Sequence, residues 1–156
     1  MDRATKAIKI GKILDKLYPE TPVPLNHSCE YTLLVAVMLS AQTTDKKVNQ
    51  VTPQLFKYAN TPEKMLSLET NFIQSLIQEI GLAPTKAKNL KKMAKQIIDN
   101  GGLVPDWTFL ESLAGVGHKT ASVLMSQWYN IPAFPVDTHI HRLAERWGLS
   151  KAKNVV

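Results

Sequence analysis

A chain of 156 residues, 44% hydrophobic and 21% charged, holds enough apolar material for one domain-sized core. Its longest apolar run, Leu33 to Leu39, falls far short of the roughly eighteen residues a membrane span requires. A lone cysteine, Cys29, excludes an intramolecular disulfide and an all-cysteine metal site within the chain, and a net charge of +6 favours a polyanionic partner. The Lys/Ile alternation at the N-terminus is not a secretory signal, so a cytoplasmic location is expected.

Residues 3–18 place Ile10, Ile13, Leu14 and Leu17 on one helical face and Lys6, Lys9, Lys12 and Lys16 mostly on another. Pro19, Pro22 and Pro24 end that helix. Ser28 is the expected cap of a helix whose run Leu33–Leu39 is apolar all round and therefore buried. Ser40-Ala-Gln-Thr-Thr-Asp45 reads as a turn, with Asp45 capping a helix that carries Val48, Val51, Leu55 and Phe56. Pro53 predicts a kink or a late start there. Thr61-Pro62 opens a short helix, Asn71 caps another running to Ile80, and Gly81 is its expected left-handed terminus.

Pro84 opens a basic helix with Lys86, Lys88, Lys91, Lys92 and Lys95, ending at Asn100-Gly-Gly102. Asp106 caps a segment to Leu113, a further helix runs from His118 to about Trp128, and a last one goes from Asp137 toward Trp147. Strand alternation is absent, so the expected fold class is an all-α bundle.

The stretch Leu113-Ala-Gly-Val-Gly-His-Lys-Thr120 carries the most chemistry. Gly115 and Gly117 suit a tight hairpin between two helices, and the unpartnered amides that open the second helix make an anion site. Lys119 lies in that first turn. A helix from Lys119 to Tyr129 advances about 15 Å, and the steps onward to Asp137 reach at most roughly 26–29 Å. Lys119 and Asp137 can therefore meet. An unprotonated lysine amine is a nucleophile, and an ionised carboxylate facing a sugar C1′ stabilises an oxocarbenium-like transition state. Helix caps far outnumber catalytic carboxylates, however, and spacing alone favours a phosphate contact and a cap. His118, His139 and His141 do not make a metal set, since His139 and His141 fall on different helical faces.

Taken together, Leu113-Ala-Gly-Val-Gly-His-Lys-Thr-Ala121 and Val136-Asp-Thr-His-Ile-His-Arg142 resemble the helix-hairpin-helix DNA glycosylases. Leu39-Ser-Ala-Gln-Thr-Thr-Asp45 narrows the resemblance to the endonuclease III branch. The resemblance implies a monomeric base-excision-repair enzyme acting on double-stranded DNA with a damaged pyrimidine or abasic site. It would remove oxidised pyrimidines and cleave the abasic site by β-elimination.

By that resemblance Lys119 is the nucleophile that forms a Schiff base at C1′, and Asp137 assists departure of the base. A monofunctional adenine-removing branch keeps the aspartate but lacks the lysine, so Lys119 implies lyase chemistry. Gln42 fills the space of the flipped nucleotide, Leu82 wedges between bases, and Gly115, Val116, Gly117 and His118 hold a phosphate. The lysine-rich helix is a softer expectation for DNA contact.

The implied domains are residues 1–21 as a helix of the second lobe, 22–135 as a six-helix bundle with its helix-hairpin-helix at about 106–129, and 136–156 as the start of the C-terminal lobe. Two departures stand out. Ala114 and His118 replace the proline and arginine of the usual family hairpin, which predicts a less rigid turn and exchanges a fixed charge for a titratable one. The family's [4Fe–4S] cluster needs C-terminal cysteines absent here, so no cofactor is expected within this chain and the iron–sulfur lobe is expected to be incomplete by truncation. The alternative reading is a non-catalytic DNA-binding fragment.

Overall fold

The computed structural model describes residues 1–136 and 138–153. Among them the elements are α1 (Arg3–Leu17), α2 (Glu30–Leu39), α3 (Asp45–Tyr58), α4 (Pro62–Ser67), α5 (Thr70–Leu76), α6 (Ala83–Asp99), α7 (Trp107–Ser112), α8 (His118–Gln127) and α9 (Thr138–Arg146). No strand occurs among the described residues, so the fold is all-α. The chain divides into two units, Pro24–Phe134 and the pair of segments Met1–Val23 and Pro135–Val156.

In the larger unit α2 is the axis. Every residue from Tyr31 to Leu39 is buried, as an all-apolar run requires. Helix α2 packs on α3 and α8, α6 on α4 and α5, α5 on α3, and α7 on α8. Helix α3 buries Val48, Val51, Thr52 and Leu55, the one-face spacing of a surface helix. Leu33, Leu39, Leu55, Ile73, Leu90, Leu110 and Leu124 are among its fully buried side chains. Seven of the described helices lie in this unit where a six-helix bundle was expected, α4 and α5 being short.

Local chemistry corrects several helix boundaries. Cys29 rather than Ser28 precedes α2, because the Thr32 hydroxyl accepts from the amides of both Ser28 and Cys29 at 2.9 Å. Thr44 rather than Asp45 caps α3, its Oγ1 accepting from the Lys47 amide at 3.2 Å. Asp45 instead stands in the first turn, where a carboxylate complements the helix dipole. Pro53 lies inside α3, which continues to Tyr58. Glu69 rather than Asn71 precedes α5, and that helix ends at Leu76. The left-handed residue that follows is Leu82, at φ 61°, rather than Gly81. Thr61 and Asp106 cap α4 and α7 as their sequence positions predict, accepting from the amides of Lys64 and Phe109.

In the smaller unit neither α1 nor α9 contributes a buried residue. Ile8, Ile13, Leu14, Leu17 and Tyr18 are all exposed, by 41–62%. Asp2 caps α1 through the Thr5 amide and hydroxyl, bonds that hold its carboxyl below the ordinary carboxylate value. Gly148, at φ +69°, terminates α9 in a left-handed turn, with its amide donating to Glu145 O and that of Leu149 to Ala144 O.

Two phenols make the larger unit sensitive to alkali. Burial pushes the Tyr31 hydroxyl well above its ordinary value, with Glu63 and Cys29 adding to the rise. Burial does the same for Tyr129, reinforced by its 2.7 Å hydrogen bond to Glu30. The folded chain thus keeps protons that unfolded phenols release near pH 10, roughly their reference value. Stability contributed by these groups is present below about pH 10 and is lost as pH rises beyond it. Burial lowers the Lys86 pKa, and that group acts with the opposite sign as pH approaches about 10.4. A comparison of wild type with Tyr129→Phe isolates the phenol: urea midpoints measured from about pH 9 to pH 11 fall less steeply in the variant. Parallel slopes contradict the assignment.

Candidate functional site

The hairpin between α7 and α8 is built around one left-handed glycine. Gly115 sits at φ +78°, and a Cβ placed there would lie 2.9 Å from Met38 Sδ and 3.3 Å from Asn89 Cβ and Nδ2. Gly117 differs, since it is extended at φ −98°, ψ −175°, as the residue preceding α8. Val116 packs inward with 6% exposure, and its amide donates to Leu113 O at 3.1 Å. That amide is already engaged, so the phosphate-holding role expected of Val116 is not available from its N–H. The exposed surface of the hairpin is formed by Gly115, Gly117, His118 and Lys119.

Ala114 is held from α6. Its amide donates to Gln96 Oε1 at 2.8 Å, and Gln96 Nε2 donates to Ser112 O at 3.1 Å. The expectation of a looser hairpin is therefore corrected: the alanine supplies an N–H that a proline lacks, and Gln96 brackets the turn with it. His118, where the family pattern has arginine, donates from Nδ1 to Glu111 Oε1 at 2.5 Å. Its ring stacks on Trp107, with centroids 5.3 Å apart and planes 22° apart. The ring is thus fixed against α7.

Lys119 is exposed in the first turn of α8, where helix amides and the dipole favour an anion. Asp137 lies outside the described residues; in sequence it directly precedes α9.

Two other expected residues share an unusual backbone. Gln42 at φ 57° and Leu82 at φ 61° are both left-handed and both exposed, Leu82 by 56%. Between their segments, the Gly81 amide donates to Thr43 Oγ1 at 3.2 Å. Lys86, which the sequence places on the basic helix offered for DNA contact, is only 5% exposed. Its Nζ donates to Leu39 O at 2.9 Å, Ala41 O at 2.6 Å and Thr43 Oγ1 at 3.4 Å. The sequence does carry a signal for this, because Lys86 falls in the buried stripe of Ala83, Ala87, Leu90, Ala94 and Ile97 on α6. Gln96, Glu111 and Trp107 leave no comparable trace.

The described residues contain no group of three or more His, Cys, Asp or Glu side chains placed to hold a metal ion. Cys29 lies at the start of α2 with its Sγ 3.5 Å from Thr32 Oγ1. One thiol does not fit a four-cysteine iron–sulfur site, and no chemistry here is routed through such a cluster. No helix among the described residues is long and apolar enough to cross a membrane.

Comparison with known proteins gives this geometry a lineage. Residues 35–155 match the HhH-GPD superfamily base excision DNA repair protein family. Endonuclease III of Haemophilus influenzae is 41% identical over 154 residues, covering 97% of this chain and 73% of the relative. The Bacillus subtilis enzyme is 45% identical over 148 residues, covering 92% and 68%. Among solved structures, a trapped endonuclease III–DNA covalent intermediate superposes with a TM-score of 0.91 at 35% identity, over 99% of this chain and 73% of that one. A thermostable thymine-DNA glycosylase shares the fold at a TM-score of 0.80 and 23% identity, over 92% and 69%. About a quarter to a third of each relative has no counterpart in these 156 residues. With a matching hairpin, fold and sequence, the chain belongs to the endonuclease III-like base excision repair DNA glycosylases of the HhH-GPD superfamily.

Proposed function

We propose that this chain, as a cytoplasmic monomer, excises oxidised pyrimidines from duplex DNA and then cleaves the strand at the abasic site. The observation that carries the reading is Lys119, exposed at the amide-rich start of α8 directly after the hairpin. The unprotonated Lys119 amine attacks C1′ as the base departs with its bonding electrons and takes up a proton. The resulting aminal gives up its amine proton as the C1′–O4′ bond breaks and O4′ is protonated, which opens the sugar to a protonated imine; loss of a C2′ proton then expels the 3′ phosphate by β-elimination. Water then hydrolyses the Schiff base and returns the lysine. Asp137, ionised, is assigned the stabilisation of positive charge developing on the sugar.

Extruding a base costs a few kcal/mol and leaves a gap in the stack. Gln42, with an amide able to hydrogen-bond the orphaned base, is assigned to fill it, and Leu82 to wedge alongside. Gly115, Gly117 and His118 are assigned to the phosphate. The test is incubation with thymine-glycol duplex DNA. Base release with strand breaks that need no alkali supports both activities. Breaks that appear only after hot alkali leave a glycosylase without lyase action.

A second reading, DNA binding without turnover, is favoured by the smaller unit, where α1 and α9 bury no residue. Salt-sensitive duplex binding with no base release in the same assay supports that reading instead.

A further inference from the structure

Gln42 and Leu82 are separated by forty positions in sequence yet share a strained left-handed backbone that side-chain-bearing residues seldom adopt. Such strain persists where surrounding structure fixes it, and here the fixing groups can be named. Lys86 has three ammonium protons and three acceptors, all on the segment Leu39–Thr43 that carries Gln42. Those acceptors are two carbonyls and a hydroxyl rather than a carboxylate, although a buried cation is costly without an anionic partner. The carbonyls of Leu39 and Ala41 lie at and just past the end of α2, where the helix dipole is negative.

The hydroxyl of Thr43 is the junction. It faces the Lys86 ammonium on one side and accepts the Gly81 amide on the other. Gly81 approaches so closely that a Cβ there would lie 3.3 Å from Thr43 Oγ1 and 3.4 Å from Gln42 O. The Thr43 amide in turn closes a turn on Ser40 O at 3.1 Å. Strengthening α2 alone would not require a bond to Gly81. The bond makes sense if two exposed tips must keep a fixed separation.

We infer that Lys86 and Thr43 are positioning residues that lock Gln42 and Leu82 into one rigid two-pronged unit, so that both enter the duplex together. Neither touches the reacting atoms. The inference rests on the reading of Gln42 and Leu82 as the inserting residues, and it adds how they are held. Rigid prongs lower the ordering cost of insertion at the moment of binding.

The readout is the ratio of single-turnover cleavage rates for an abasic site in duplex and in single-stranded DNA, because a single strand offers no stack to enter. Thr43→Val keeps the shape but removes the hydroxyl, and the ratio falls about tenfold, the scale of one lost hydrogen bond. Thr43→Ser restores it. Lys86→Met lowers the ratio further, with a thermal melt recorded beside it to gauge folding. Rates on the two substrates that fall together, with an unchanged ratio, overturn the positioning role and make the brace merely structural. Gln42→Ala and Leu82→Ala separate the two ideas. If both lower the ratio while Thr43→Val does not, the brace alone fails. If neither lowers it, the insertion reading fails and the positioning role with it.

Discussion

Lys119→Gln abolishes borohydride trapping on abasic duplex DNA, with the yield of covalent adduct falling at least about a thousandfold. Glutamine keeps most of the side chain's length and polarity but has no amine to form an imine. Lys119 is exposed in the first turn of α8, so the replacement removes no core packing, and stability moves by no more than about 0.5 kcal/mol. Duplex affinity weakens modestly, as the loss of a single charge near phosphate does. The measurement is a gel-shift count of adduct after reduction, with urea midpoints as a folding control. Equal trapping by the variant would place the nucleophile elsewhere and remove the lyase assignment.

Gly115→Ala has the largest expected structural effect. The left-handed backbone costs a side-chain-bearing residue about 1–2 kcal/mol, and overpacking a filled space adds about 1–3 kcal/mol. The obstructing atom is Met38 Sδ, on a side chain only 3% exposed within α2, so the new methyl presses on the central helix. A loss of roughly 2–5 kcal/mol follows, together with weaker duplex binding. Gly117→Ala is the internal control. Its φ is negative and a Cβ there meets nothing within 4 Å, so the cost is limited to the poorer capping of α8 by alanine, about 1 kcal/mol. Its added methyl instead stands at the start of α8, where close approach of a phosphate is proposed. Urea denaturation of the pair decides the matter, since equal destabilisation would contradict the division of labour between the two glycines.

That division was only half legible in the sequence. Glycines spaced two apart announced a hairpin, but which one tolerates no side chain depends on Met38 and Asn89, far away in the chain. The order of helices was readable because apolar periodicity, proline and cap residues act locally. Cap identities slipped by a residue wherever neighbouring Ser, Thr or Asp side chains competed, as at Thr44 and Asp45. Position 82 was harder still, because Gly81 is the better left-handed residue by propensity, yet Gly81 serves as the point of close approach to Thr43 and Gln42 while Leu82 takes the left-handed backbone. Lys86 in its basic helix reads as surface charge, as most lysines are. Its acceptors are carbonyls more than forty positions away, which no local pattern announces. The roles proposed for Lys119, Gln42 and Leu82 rest on resemblance to a family, whereas the bonds around Thr43 and Lys86 are visible only in the fold.

The bracket of Gln96 around Ala114 has a consequence for how the hairpin loses order. A proline stiffens a turn by a covalent ring that survives when neighbouring structure melts. Ala114 relies on a side chain from the last turn of α6, and so its order is borrowed. Protection of the Ala114 amide from hydrogen exchange is therefore expected to follow the order of Gln96 on α6, and Gln96→Ala is expected to remove it. The hairpin that would hold DNA thus depends for its shape on a side chain contributed by α6.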